Sequence, residues 1–318
     1  MRVLLLVVLC AVLQRGSQQN VENIMNNVLA LRVPHGSHPG YNVPLTCGET
    51  YESQPVFWKK NGKQLSSASR GNQISVYVEE MDGGNYTCHL GRDGPYLNHT
   101  LVLVQVDPDN KSVILERIHH RNHGGGYVYC SAHNYNGSFQ CTWKRTPYRS
   151  EATVLSVTAK RDSSEISCEV DAGGSGMHCQ DPGCPFKEEQ RPIFLTIYIY
   201  NVARLEAYNT NFYLRDIVRP EQVSNLQHKE GGVFSWDYPE SWQKPCTYFC
   251  LQFQVKVVRR GETCDSNDLI EQLDNTDKMN YKVRSKAKRF VFCVRAQDKF
   301  TDGPWSEWRY HVVKKATG

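Results

Sequence analysis

"YCSAHNYNGSFQCTW", residues 129–143, is the stretch from which the fold can be read. Cys130 and Cys141 stand eleven apart, Asn136-Gly137 lies between them, and Trp143 follows as Cys-x-Trp. Asn and Gly readily take the positive φ of a two-residue hairpin loop, so the stretch predicts two antiparallel strands turning at Asn136-Gly137. Such strands bring Cys130 opposite Cys141 on one face, where a cross-strand disulfide closes. Cys168 and Cys179 flank the turn-rich "DAGGSGMH" and repeat the arrangement.

Upstream, Cys47 sits in "VPLTC", Trp58 in "PVFWKK" and Cys88 in "MDGGNYTC". Cys, then Trp, then Asp-x-Gly-x-Tyr-x-Cys is the order of an immunoglobulin-like sandwich. Cys47 and Cys88 would bridge its sheets over Trp58, and Tyr86 would make the tyrosine corner. "QISVYVEEM" and "LVLVQV" alternate as strands do.

Downstream, "RPEQVSNLQ" reads as a hinge into a last sandwich. In "CTYFCLQFQVKVV", Phe249, Leu251, Phe253, Val255 and Val257 share one face; in "KRFVFCVRAQD", so do Phe290, Phe292, Val294 and Ala296. Cys250 and Cys293 then face outward, and a bridge between neighbouring strands is available to them, which leaves Cys246 for Cys264. Four cysteines allow three connectivities. In "GPWSEW", an extended backbone that repeats every three residues projects Trp305 and Trp308 to one side. Arg295 points outward from the preceding strand, and the expectation is a stack of Trp305, Arg295 and Trp308, extended by Gln252, Gln254 or Lys256. Each cation–π contact is worth about 0.5–2 kcal/mol, so the stack would stiffen the last sandwich.

These readings make the chain all-β: an immunoglobulin-like sandwich followed by two of fibronectin type III form. Its 318 residues fit that number of domains. The expected division is 1–17 signal peptide, 18–106 immunoglobulin-like domain, 107–218 the domain with paired Cys and Cys-x-Trp, and 219–318 the domain with Trp-Ser-x-Trp. The leader is expected because the apolar run Val3 to Leu13 follows an early Arg and is too short for the roughly 20 residues of a membrane span. No later run is long enough either, so a secreted, extracellular protein is expected. Removing Cys10 with the leader leaves 11 of 12 cysteines in an oxidising compartment, and an odd count implies an intermolecular bridge or a free thiol. Cys184, in "CQDPGCP" between Gly183 and Pro185, is the one left over. Sequons at Asn85, Asn98, Asn110 and Asn136 fit a glycoprotein.

An immunoglobulin domain, a domain with two Cys pairs and Cys-x-Trp, and a domain ending in "WSEW" together resemble the ectodomain of a class I cytokine receptor. The closer resemblance is to the interleukin-12 beta-subunit family, through "YTCHLG", "NYNGSFQCTW", "CQDPGCP", "FYLRDIVRP", "WDYPESW", "YFCLQF", "VRAQD" and "WSEW". The chain departs from the pattern at Arg309, where most such receptors have Ser, and in the cysteines of its last domain. The resemblance implies a secreted subunit that clasps a four-helix cytokine alpha subunit at the elbow between the second and third domains. It implies an interchain disulfide from Cys184, an elbow pocket of Tyr135, Glu188, Tyr248, Asp298 and Phe300, and a first domain that contacts a cell-surface cytokine receptor. Two tyrosines and two carboxylates suit an Arg inserted by the partner.

Other readings weigh less. A soluble cytokine receptor alpha chain, binding reversibly and without a bridge from Cys184, shares the architecture. An adhesion protein explains the sandwiches but not Cys-x-Trp with "WSEW". No Gly-rich phosphate loop, nucleophile elbow or triad points to an enzyme, and no cofactor is implied. His119, His120 and His123 lie beside a Gly run that holds no fixed four-ligand geometry. A net charge of +4 does not imply nucleic acid. The basic run Lys282, Arg284, Lys286, Lys288 and Arg289, with Arg259 and Arg260, can hold a heparin-like glycosaminoglycan by charge, or serve as a solvated strand edge.

Overall fold

Apolar residues recur with period two along short runs broken by Gly, Pro, Asn and Asp, and such runs form strands with one buried face. The computed structural model describes residues 20–33, 40–66, 71–79, 81–106, 112–120, 124–183, 186–242, 249–266, 270–284, 289–301 and 303–313. The expected leader, residues 1–17, lies outside them. The chain is all-β and divides into two compact units, one of Met1–Leu115, Arg145–Ser156 and Ile197–Tyr208, the other of Glu116–Lys144, Val157–Thr196 and Asn209–Gly318. No helix among the described residues is long and apolar enough to cross a membrane.

In the first unit, β1 (Val21–Met25) pairs with β2 (Val28–Val33), and β3 (Tyr41–Thr46) pairs with β6 (Gln73–Val78). A second sheet runs β2, β8 (Tyr96–Val106), β7 (Gly84–Leu90), β4 (Val56–Lys60), β5 (Lys63–Gln64). Between them Cys47 is bonded to Cys88 across a Cα separation of 6.0 Å. Trp58 and Tyr86 are buried with this bridge in a core that also holds Leu31, Val43, Val76 and Val102. The Trp58 indole donates to the Gly71 carbonyl at 2.9 Å, so its one polar atom is satisfied inside the core.

In the second unit a ribbon of β9 (Ile118–His120) and β10 (Gly124–Gly126) precedes a sheet ordered β11 (Val128–Ser131), β12 (Ser138–Trp143), β15 (Gly176–Gln180), β14 (Ser164–Val170), β13 (Thr153–Arg161). Cys130 lies opposite Cys141 and Cys168 opposite Cys179, and both pairs are bonded. The Asn136-Gly137 turn is wider than the two-residue loop the dipeptide predicts, and that loop would have set Cys130 opposite Trp143 rather than Cys141. Pairing stops at Ser131↔Gln140, because Ala132 leaves the hairpin to bridge Val218, exchanging backbone bonds with Ile217 and Arg219. Gly137 still takes positive φ (91°), and the widened loop carries Asn134 and Tyr135 away from the hairpin.

After β16 (Ile193–Asn201), β17 (Arg204–Phe212) and the short helix α1 (Leu214–Ile217), the chain forms a last sandwich. Three strands, β18 (Ser224–Lys229), β19 (Val233–Asp237) and β22 (Asn280–Lys282), face four: β21 (Ile270–Thr276), β20 (Leu251–Arg259), β23 (Phe290–Asp298) and β24 (Arg309–Val313). Phe234 stacks on Phe292 at 4.0 Å between the sheets, and Trp236 meets Phe253 edge-on at 5.5 Å.

Register overturns the expected bridges of this sandwich. β20 and β23 are neighbours, but Cys293 lies opposite Lys256, six residues along from Cys250, or about 20 Å away at 3.3 Å per residue. No disulfide spans that distance. Cys293 is bonded instead to Cys264, on the segment that folds back after β20, with the two Cα atoms 5.9 Å apart. That excludes both Cys250–Cys293 and Cys246–Cys264. Cys250 is itself disulfide-bonded, and Cys246 lies outside the described residues.

Candidate elbow site and its relatives

The outward face of β20 and β23 is covered rather than exposed. Cys264, Cys293, Val258 and Val291 form a small second core against Trp308. Beside it the Arg295 guanidinium lies 4.9 Å from the Trp305 ring and 4.3 Å from the Trp308 ring. Arg295 donates to Gln254 Oε1 from Nε (3.1 Å) and Nη2 (2.6 Å), and Lys256 Nζ stands 5.9 Å over Trp308. Gln252 turns away to Gln297. Lys256 is buried and donates to the carbonyls of Cys264 (2.8 Å) and Ser266 (2.5 Å), so it straps the bridged segment over this face. Ser306, between the tryptophans, accepts the Ala296 N–H on its Oγ at 2.9 Å and replaces a missing rung of the ladder.

The same segment grips the hinge. Arg219 Nε donates to the Trp305 carbonyl at 2.9 Å and its Nη2 pairs with Glu307, while Gln222 Nε2 donates to the Trp308 carbonyl at 3.0 Å. These contacts tie residues 219–222 to the stacked tryptophans. Neither Arg219 nor Gln222 stands out in the sequence except as part of "RPEQ", since their partners lie almost ninety residues away.

Where the widened hairpin meets the end of β23, the Tyr135 hydroxyl donates to Asp298 Oδ2 at 2.8 Å, and both residues are buried (4% and 2% exposed). The Tyr135 ring lies 4.4 Å from Phe249 and meets Trp242 edge-on at 5.9 Å. Its carbonyl accepts the Phe186 N–H at 2.6 Å, and Asn134 Nδ2 reaches the Ser241 carbonyl at 2.9 Å. Asp298 Oδ1 accepts the Phe300 N–H at 2.7 Å, which turns the chain at the end of β23. Burial raises the Asp298 carboxyl above its ordinary value, and the donors opposing that shift are the Phe300 N–H, the Tyr135 hydroxyl and the Thr301 N–H, all neutral. Burial and the adjacent Asp298 charge push the Tyr135 phenol up in turn.

A neighbouring cluster is charge-balanced differently. Arg161 pairs with Asp181 (2.9 Å) and Glu189 (2.8 Å), all three side chains nearly buried. Glu189 also accepts the N–H groups of Leu214 (2.7 Å) and Arg215 (3.0 Å), capping the start of α1. Arg161 and Glu189 are 28 positions apart and carry no motif that links them.

Glu188 is exposed and Phe300 is 65% exposed. Tyr248, Cys184, Asn110, His123, Lys286 and Lys288 lie outside the described residues. His119 and His120 lie on β9. Arg259, Arg260, Lys282, Arg284 and Arg289 are exposed. Asn85 and Asn136 are exposed, and Asn98 is half-buried, its Nδ2 donating to the Cys47 carbonyl at 3.1 Å.

Comparison with known proteins agrees with this architecture. The family described as cytokine interleukin-12p40 C-terminus matches residues 125–201, which include both paired cysteine hairpins. The interleukin-12 subunit beta of Papio anubis is 32% identical over 297 residues, covering 85% of this chain and 86% of that protein. Those of Sigmodon hispidus and Homo sapiens are each 31% identical over 293 and 295 residues, with the same shares of 85% and 86%. Identity at that level across nearly the whole length, on a chain whose hairpins, bridges and tryptophan stack fit one another, places it: the chain belongs to the interleukin-12 subunit beta family, a family of cytokine subunits and not of enzymes.

Proposed function

We propose that this chain is the secreted, receptor-like subunit of a heterodimeric cytokine, organised as domains 18–106, 107–218 and 219–318. It takes a four-helix alpha subunit at the elbow of the second and third domains and presents it to a cell-surface cytokine receptor. One observation carries the reading: Asp298 is a buried carboxylate that meets only neutral donors among the described residues, whereas Glu189 and Asp181 close by are neutralised by Arg161. A buried anion without a counter-ion is costly, and a partner's guanidinium that displaces the Tyr135 hydroxyl from Asp298 relieves that cost with charge-assisted bonds about twice as strong as neutral ones. Phe300, exposed two residues beyond Asp298, supplies an apolar contact at the entrance, with Glu188 and Tyr248 completing the set.

Cys184 bridges the pair covalently in this reading, and the immunoglobulin-like sandwich meets the receptor. The exposed Arg259, Arg260, Lys282, Arg284 and Arg289 favour a secondary attraction to heparin-like glycosaminoglycans. The test is co-expression with an alpha subunit. Asp298→Ala should reduce heterodimer recovery, and Cys184→Ser should remove the reducible band while leaving non-covalent association. Undiminished recovery with Asp298→Ala rejects the elbow site. Reversible capture with no reducible band from the wild-type chain would favour a soluble receptor alpha chain instead.

A further inference from the structure

Three described asparagines stand in sequons, and their surroundings differ. Asn98 uses Nδ2 to hold the Cys47 carbonyl at 3.1 Å, and its Oδ1 takes the His99 N–H at 2.9 Å, so its amide is built into the first sandwich. Asn85 lies within the paired strand β7. Asn136 sits exposed in the Ala132–Gly137 loop; its Oδ1 accepts the Ser138 N–H at 2.8 Å, and among the described residues its Nδ2 makes no hydrogen bond.

Asn136 also lines a cleft of about 230 Å³ with Ser138, Gln140, His178, Glu221 and Ser241. This is smaller than the roughly 300–1,000 Å³ of a drug-sized ligand site. Its walls offer hydroxyl, amide, imidazole and carboxylate groups, with Phe139 among the apolar atoms, a lining that suits a sugar ring with a polar rim and a C–H face. Ser138, Gln140 and His178 come from β12 and β15, and Glu221 and Ser241 from the hinge and the loop after β19. A ligand held here touches both sandwiches of the elbow.

We infer that Asn136 carries an N-linked glycan whose first N-acetylglucosamine occupies this cleft and braces the loop that carries Tyr135. The inference rests on the secretory route proposed above. There, Asn136 Nδ2 attacks the anomeric carbon of a lipid-diphosphate-linked oligosaccharide: the C–N bond forms, the C–O bond to the diphosphate breaks, the lipid diphosphate leaves with the electron pair, and the amide gives up one proton.

The test uses the full chain secreted from a mammalian cell line. Glycopeptide mass spectrometry at Asn85, Asn98, Asn110 and Asn136 should find Asn136 occupied. Release of that glycan by a peptide N-glycosidase from the native protein should be at least about tenfold faster in His178→Trp than in the wild type, because the indole displaces the ring from the cleft. Gln140→Trp gives the same reading if His178→Trp is secreted poorly. Equal native release rates overturn the docked ring. Sugar at the other sequons but not at Asn136 overturns the inference alone, and sugar at none overturns the secretory reading with it.

Discussion

The hydroxyl of Tyr135 donates to the carboxylate of Asp298 at 2.8 Å, joining a residue of the widened Cys130–Cys141 hairpin to the last residue of β23 across 163 positions of sequence. The bond ties those two segments together and leaves the carboxylate only 2% exposed. The carboxylate is held by geometry in a place its own solvation disfavours.

That cost has a sign that can be measured. Burial holds the folded carboxyl above its unfolded value, so the penalty is absent below the unfolded value and complete above the raised folded one. Asp298→Asn should therefore raise Tm near neutral pH, and its advantage should shrink as pH falls into the carboxyl range. The same variant should bind the alpha subunit less well. Differential scanning calorimetry at several pH values, set beside heterodimer recovery, checks both halves. Tyr135→Phe acts in the opposite direction and should cost about 1–3 kcal/mol by leaving the carboxylate short of a donor.

Arg295 makes contacts with two indole rings and with Gln254. Arg295→Ala removes all of them and should destabilise by about 1–3 kcal/mol. Arg295→Lys should recover only part of the loss, because an ammonium cannot stack flat between rings. Thermal unfolding of the three proteins orders them; equal Tm values would remove any stiffening role from the stack.

The bridge Cys264–Cys293 closes a separation of 29 residues. Non-reducing peptide mapping should recover those two cysteines in one linked peptide and find no Cys250–Cys293 species. Replacing both by Ala should cost about 3–4 kcal/mol by the loop-entropy account, read as a lower denaturant midpoint.

His228 stacks on Phe234 at 4.6 Å, and His311 meets the same ring at 5.9 Å, with the two imidazoles 5.7 Å apart at one edge of the last sandwich. Burial lowers the His311 value, and the His228 charge lowers it further. The unfolded chain then takes up its proton first, so stability is full above about pH 6.5 and falls as pH drops towards the lowered folded value. His311→Phe should flatten the Tm-against-pH curve below that point.

Much of the fold was legible because it is written locally. Alternation marked the strands and put the cysteines of each hairpin on one face; the register that sets Cys168 on Cys179 follows from its short turn, whereas that of Cys130 on Cys141 follows from the widened loop. Trp305, Arg295 and Trp308 could be placed together because the period of an extended segment and the facing of one strand suffice. Less of the elbow could be read. Phe249, alternating with the core positions of β20, lies instead against Tyr135, and Trp242 packs there with it. Arg161, Asp181 and Glu189 converge from separate segments. No spacing rule joins residues that meet only when distant segments pack together.

The amino-acid order by itself determined the all-β class, the hairpins and which cysteines share a face within each, since side-chain alternation acts over a few residues. Tertiary structure alone decided the register of β20 on β23, which sends Cys293 to Cys264, and the burial of Asp298. Both depend on which distant strands pack together, and a slip of a few positions, with no change in composition or period, would alter both.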